Sequence, residues 1–399
     1  LGVRSGWARK AFVVTEIALA VALVMGAGLL GRSLLALANV DMGFQGDRLV
    51  VLRTTVPVSG RPQFARAIEI YRNTLTELRA IPGVIAAGGV TSLPTIVRSN
   101  GGYWVEGAPG PEVLGVRSPQ ALFNVVTPDY FRALEVPVVR GRDFNDGDRI
   151  DAPLVAIINE QLAKDSFAGV DPIGRTIRAG LDSLEPMTIV GIVKDVRTRG
   201  PNRAVQAELL MPYEQHQGPA TSLNLVMRTS VADPLAIGAT AARQIRARYP
   251  EVPVRVETME MTMAGATATP RFRTGLLVVF AVVALLLAIA GVYGVMAYTV
   301  SQRVPEIGLR VALGASPADV IGLVLREGAL LVAIGLVVGA AMSYAGAQFI
   351  SGLLFGVSAR DPLVFAAVSA LVAIAAMAAC LVPGRRALKV DPLLALRAE

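Results

Sequence analysis

The sequence predicts a membrane protein with four transmembrane helices, arranged as one plus three, and a large α+β extracytoplasmic domain inserted between the first and the second. Three observations predict it. Apolar residues make up 53% of 399 residues, the mean hydropathy is +0.54, and the apolar residues are gathered into blocks rather than spread evenly. The blocks are long enough to cross ~30 Å of hydrocarbon, which takes roughly 20 apolar residues at ~1.5 Å each. The charges between the blocks are distributed asymmetrically, as the positive-inside rule requires of a topology.

The first block, 11–38, starts after Lys10; the 21 residues between Lys10 and Arg32 are interrupted only by Glu16. The second, 274–300, lies in 29 uncharged residues between Arg273 and Arg303. The third, 328–355, lies in 32 uncharged residues between Glu327 and Arg360, and the fourth, 362–383, in 23 between Asp361 and Arg385. A soluble enzyme is excluded. A cleaved leader is disfavoured at the N-terminus, because the first run exceeds a usual apolar core of ~7–15 residues and contains Glu16. Leu1 is not a methionine, so the chain reads as part of a longer polypeptide.

Residues 1–10 carry Arg4, Arg9 and Lys10 without an acid, and the tail 384–399 carries Arg385, Arg386, Lys389 and Arg397 against Asp391 and Glu399. Both ends therefore read as cytoplasmic, together with the segment 301–327 and its Arg303, Arg310 and Arg326. Residues 39–273 hold 26 basic and 24 acidic side chains, the balance of a folded extracytoplasmic domain rather than a nucleic-acid surface.

Within that domain, Leu49 to Val56 reads as a strand. Phe64, Ile68, Tyr71, Leu75 and Leu78 then form one helical stripe, ended by Pro82-Gly83. Val84 to Val90 follows as a strand, a βαβ-like start. Further strands are expected at Leu122 to Val126, Leu154 to Ile158, Thr188 to Val193, Glu208 to Met211 and Leu223 to Arg228, with helices at Asn159 to Phe167 and Pro234 to Tyr249. Two subdomains are expected, with a boundary in Ser99 to Pro119.

The chemistry available is narrow. The single cysteine, Cys380, lies inside the last apolar block and the single histidine is His216 in the external domain. A Cys and His zinc site, a Cys-His dyad or a Ser-His-Asp triad would have to use His216 or Cys380, residues in different compartments, which disfavours hydrolytic chemistry. His216, in a polar stretch, is expected as a solvated loop residue. Glu16 is expected to snorkel toward the cytoplasmic headgroups, avoiding most of the ~2.5–3.5 kcal/mol that a carboxylate costs at mid-bilayer. No lysine follows a glycine, so no Walker phosphate loop is present: no catalytic, cofactor-binding or metal-ligating residue is expected in this chain.

The most informative segment is Ser301 to Asp319, short and amphipathic, with Arg303, Glu306 and Arg310 offered to water and Ile307, Val311 and Leu313 to lipid or a groove. Glu306-Ile307-Gly308, Arg310 and Ala312-Leu313-Gly314-Ala315, preceded by Arg303, resemble the cytoplasmic coupling segment of the MacB- and FtsX-type permeases of ATP-binding-cassette (ABC) systems. Tyr293-Gly294, Asp361-Pro362, Pro383-Gly384-Arg385-Arg386-Ala387, Val390-Asp391-Pro392, Leu396-Arg397 and Glu399 resemble that family too. So do Pro82-Gly83-Val84, Asp171-Pro172-Ile173-Gly174, Val190-Gly191-Ile192-Val193 with Asp195, and Met211-Pro212-Tyr213 in the external domain. Val304 and Gly384 depart from the residues usual there.

The resemblance implies a permease in a bacterial inner membrane, non-catalytic itself, that couples ATP hydrolysis on a separate cytoplasmic ATPase to export or release of a periplasmic substrate. ATP and magnesium would be held by that ATPase. A second permease copy, a periplasmic adaptor and membrane lipid are the other partners implied, and the chain would fit the second half of a duplicated permease. Two other functions compete: an FtsX-like signalling protein that controls a periplasmic cell-wall hydrolase, and a membrane-anchored ligand sensor. Gly335, Gly339, Ser343 and Ala347, four apart on the third span, form a small-residue stripe for helix packing, either within the chain or between two copies.

Overall fold

The computed structural model describes residues 2–107, 118–312 and 315–387. Leu313, Gly314, and the tail motifs at Val390-Asp391-Pro392, Leu396-Arg397 and Glu399, with Lys389, lie outside the described residues. The chain divides into two compact units, 40–268 and the combination of 1–39 with 269–399.

In the order of the chain, α1 (Gly2–Ala38) precedes the domain 40–268, whose frame is six elements: β1 (Leu49–Thr54), α2 (Phe64–Arg79), β2 (Val84–Val90), β10 (Asn224–Thr229), α5 (Pro234–Arg248) and β11 (Val254–Thr258). The strands lie in the order β11-β1-β10-β2, all antiparallel, with Val50 opposite both Met227 and Thr258. β1 and β2 therefore run parallel on either side of β10. The βαβ start is a split one, repeated by β10-α5-β11 around β1, which is the ferredoxin-like arrangement. Its helix stripe buries Ile68, Tyr71, Leu75 and Leu78 against the sheet, each such side chain contributing about 1.5–3 kcal/mol. Gly83, at φ +92°, supplies the left-handed turn after Pro82 that lets β2 start at once.

Between β2 and β10 the chain builds a second structure. β3 (Asn100–Val105), β4 (Gln120–Val126), β6 (Val155–Asn159), β7 (Thr176–Ala179), β8 (Met187–Val193) and β9 (Glu208–Pro212) pair in a closed ring, β4-β3-β7-β8-β6-β9 and back to β4. β5 (Val138–Gly141) pairs with β8, and Val90 opposite Val126 joins the ring to the first sheet. Closure leaves those six strands with few free edges. α3 (Tyr130–Leu134) and α4 (Glu160–Ser166) sit in its connections. Alternation divides the ring strands between two cores: Phe123, Ile158 and Leu209 enter one, and Val126, Ile157 and Leu210 the other. The division of the domain is thus nested. The chain leaves the first sheet after Val90 and returns at Asn224, and β3 occupies part of the interval expected to be a boundary.

In the other unit, α1, α6 (Met259–Gln302), α8 (Pro317–Ser351) and α9 (Pro362–Ala387) are each long and apolar enough to cross a membrane. Their ends differ from the charge-free intervals. α6 starts at Met259, not 274, and α9 runs on through Arg385 and Arg386. α8 starts at Pro317, not 328, because Ser316 and Asp319 form a reciprocal capping box with proline at the first turn. Charge-free length locates the apolar part of a helix, and capping locates its end.

Small residues set the packing. A Cβ on Gly339 would stand 2.7 Å from both Ala18 O and Val21 Cβ, and one on Gly335 2.6 Å from Ile17 Cγ2. The stripe on α8 therefore meets α1 of the same chain. Ser343 Oγ donates to Gly339 O at 2.7 Å and Ala347 is buried. Glu16 does not turn toward the headgroups as expected: its carboxyl end fills the hollow left by Gly291 on α6. Side-chain reach allows snorkelling, but a glycine on the facing helix offers a nearer seat.

Candidate functional site: the charged end of the helical bundle

α7 (Val304–Ala312) is a nine-residue helix between α6 and α8. Its first turn carries Glu306 and its last Arg310, the placement the helix dipole favours, and the two form an ion pair at 2.7 Å four residues apart. Ile307 is 3% exposed and joins Val300, Val320 and Val324 in the core of the bundle, with Gly308 buried beside it. Leu309 is 52% exposed, so Glu306, Leu309 and Arg310 make the outward face.

Arg303 occupies the turn before α7. Its carbonyl accepts from the Ile307 amide at 2.8 Å, and its Nη2 reaches Glu327 Oε1 of α8 at 2.8 Å. Arg303, Glu306, Ile307, Gly308 and Arg310 are thus brought together. Ala312 ends the helix, and Ala315, half-buried, donates its amide to Arg310 O at 3.0 Å. Glu327 was missed in the sequence, although its being the one acid between Asp319 and Asp361 was a signal.

Two tyrosines of α6 organise the basic groups here. Arg9 stacks over the Tyr298 ring at 4.0 Å, Gln302 Nε2 donates to Tyr298 Oη at 2.9 Å, and Arg386 Nη1 donates to Tyr293 Oη at 2.8 Å. The motifs Tyr293-Gly294 and Arg385-Arg386, far apart in sequence, meet in this contact. At the opposite end of the bundle Arg32 pairs with Asp361, and Arg360 lies over Tyr344 at 4.1 Å.

The domain 40–268 has polar groups of its own. Burial pushes the Glu208 carboxyl up, while Asn124 Nδ2 and Thr198 Oγ1 donate to it at 2.6 and 2.8 Å. Asn159 links this group to Asp195 by a bond of 2.8 Å. A cavity of about 20 Å³ lined by Asn124, Asn159, Tyr130, Thr198 and Glu208 adjoins them, room for about one water. His216 is 3% exposed, with Nδ1 2.7 Å from Asp182 Oδ1. It is not a solvated loop residue, because the β7–β8 turn folds Asp182 onto it, a pairing that the polarity of its own stretch does not reveal.

Residues 12–248 match the MacB-like periplasmic core domain, and residues 278–392 the FtsX-like permease C-terminal domain. The chain is 26% identical over 284 residues to the Uncharacterized ABC transporter permease YknZ of Bacillus subtilis (strain 168), covering 70% of each. It is 28% identical to the probable syringafactin export ATP-binding/permease protein SyfD of Pseudomonas syringae pv. tomato, covering 69% of this chain and 42% of that one. With the macrolide export ATP-binding/permease protein MacB of Escherichia coli it shares 27% identity over 71% of this chain and 44% of that one. The chain therefore spans less than half the length of these ATP-binding/permease relatives. Among solved structures, the periplasmic region of MacB from Actinobacillus actinomycetemcomitans is similar at 15% identity and a TM-score of 0.38, covering 55% of this chain and 92% of that one.

Proposed function

Because the chain belongs to the family of ABC transporter permeases with a MacB-like periplasmic core domain and an FtsX-like C-terminal part, we propose that it passes motion from a cytoplasmic ATPase to its domain 40–268. The carrying observation is α7. Its buried face is part of the same core as the long helices, and Arg303 ties its start to Glu327 of α8, so a push on Glu306, Leu309 and Arg310 is borne by the bundle rather than absorbed in a loop. α6 begins at Met259, directly after β11 ends at Thr258, so the chain continues from the domain into a helix without a linker.

In this reading the chain hydrolyses no ATP. The ATPase partner holds ATP and magnesium, both termini and α7 lie on the cytoplasmic side of a bacterial inner membrane, and the domain 40–268 lies in the periplasm. A second copy completes the permease, with a periplasmic adaptor as further partner, and rearrangement of the domain expels or releases a substrate of the macrolide, peptide or lipoprotein kind. The basic residues at the start of α1, at the end of α9 and within 301–327 support that sidedness.

Exchanging the charges, Glu306→Arg with Arg310→Glu, keeps the i,i+4 pair while inverting the outward face. Stimulation of the partner's ATPase in membranes should fall at least fivefold, with the chain still inserted. Normal stimulation by the exchanged chain would remove α7 as the contact.

A further inference from the structure

Two buried side-chain atoms lack a hydrogen-bond partner among the described residues, and one of them, Glu16 Oε2, belongs to a membrane-crossing helix. Glu16 follows Arg9 by seven residues, about two helical turns. Arg9 meets Tyr298, Glu16 meets Gly291 and Gly26 meets Leu277, so α1 and α6 run antiparallel along this contact with Glu16 well inside the charged end. The hollow at Gly291 is made to its measure: a methyl group there would overlap Glu16 Oε2 and stand 3.6 Å from Val13 Cγ2.

The surroundings are aliphatic. Val13, Ile17, Ala288 and Val292 belong to one buried cluster, and the small residue Gly335 of α8 takes Ile17. On the neighbouring helices Tyr293 of α6 accepts from Arg386, Tyr298 of α6 lies under Arg9 and Glu327 of α8 pairs with Arg303, while Cys380 of α9 packs against Gly328. An ionised carboxylate with an orphaned oxygen is the costliest state in such a place, and binding a proton relieves it. The resulting acid gains an O–H to donate, where the ionised group could only accept.

We propose that Glu16 is a proton-carrying latch between α1 and α6: protonated, its carboxylic acid seats in the Gly291 hollow and holds the two helices together; ionised, it must leave. These are the helices by which the chain enters and leaves the domain 40–268, so one proton acts on the pair that flanks it in sequence. The inference rests on α1 and α6 crossing a membrane and requires nothing of ATP coupling or cargo.

The test is infrared spectroscopy of the full chain in phospholipid vesicles at pH 7, subtracting Glu16→Gln from the native protein. A carboxylic-acid C=O band present in the native chain and missing from the variant is expected; identical spectra in that region would show an ionised Glu16 and overturn the proposal. A second readout is disulfide cross-linking of a cysteine pair at Gly26 and Leu277, in a Cys380→Ser background. Glu16→Gln, a neutral side chain of the same shape, should cross-link within twofold of native, and Glu16→Lys at least fivefold less. Equal cross-linking in both would remove the latch even if the proton is there.

Discussion

Arg303, in the turn between α6 and α7, is bonded at 2.8 Å to Glu327, on the third long helix. The pair ties the start of α7 to the bundle whose core Ile307 joins, so Glu306, Leu309 and Arg310 face outward from it. Both side chains are partly exposed, so Glu327→Ala should cost no more than about 1 kcal/mol of stability. Coupling should suffer more, with a severalfold drop in stimulation of the ATPase partner. The exchange Arg303→Glu with Glu327→Arg should restore most of it. Stimulation measured beside thermal stability for single and double variants separates the two effects, and a double variant no better than the singles would count against the pair.

Gly339→Leu should drive α8 away from α1, because the hydrogen it replaces faces Ala18 O and Val21 Cβ at contact distance. Overpacking of this kind costs typically 1–3 kcal/mol. Since the contact is within one chain, the fall in melting temperature of the detergent-solubilised protein should not depend on protein concentration. A loss that deepens on dilution would place the stripe between copies instead.

Much of the architecture was legible because its signals are local. The stripe at Ile68, Tyr71, Leu75 and Leu78 needs only a period of 3.6, and a charge-free interval needs only length. β3, β5, β7 and β11 were not legible. β3 includes Gly101 and Gly102 and β5 is exposed along most of its length, so neither shows apolar alternation, and their pairing, β3 within the ring and β5 onto β8, depends on partners distant in sequence. The candidate site divides the same way. Glu306 and Arg310 lie on one local helix, whereas Glu327, Tyr298 and Tyr293 enter through tertiary contacts. The surroundings of His216 and Glu16 differ from those their own stretches suggest for one reason: Asp182 and Gly291, which decide them, belong to other elements.

Glu208 is buried with two donors aimed at it, Asn124 at 2.6 Å and Thr198 at 2.8 Å. Glu208→Ala leaves both donors without an acceptor and should cost about 3 kcal/mol or more. Glu208→Gln keeps one carbonyl acceptor, and the Thr198 hydroxyl can turn to accept from the new amide, so it should cost less than half as much. Denaturant unfolding of the two variants measures the difference, and equal losses would show that the side chain fills space rather than satisfying donors.

Asp143 gives the domain a pH dependence whose sign follows from its surroundings. Burial, above all, pushes its carboxyl up to about 6; Asp129 and Asp148 add to the rise, and the Phe144 amide, donating at 2.7 Å, and Arg142 oppose it. The folded state thus holds its proton more tightly than the unfolded chain, where an ordinary value of 3.8 applies. Below that value both states are protonated and nothing is lost. Between it and the folded value the folded state binds more protons, so stability falls as pH rises, and the loss is complete above about 6. At ~1.4 kcal/mol per unit, and discounted for partial exposure, the loss is about 1–2 kcal/mol. Asp143→Asn keeps the Oδ1 acceptor for Phe144 and has no charge to bury. It should therefore be more stable than the native chain at pH 8 by about that amount and equal to it within error at pH 3.5, where Asp143 is protonated in both states. Unfolding free energies of the two proteins across that range, taken as a difference so that Glu208 and Asp195 cancel, decide the matter; a variant that loses its advantage at high pH rather than gaining it would reverse the assignment.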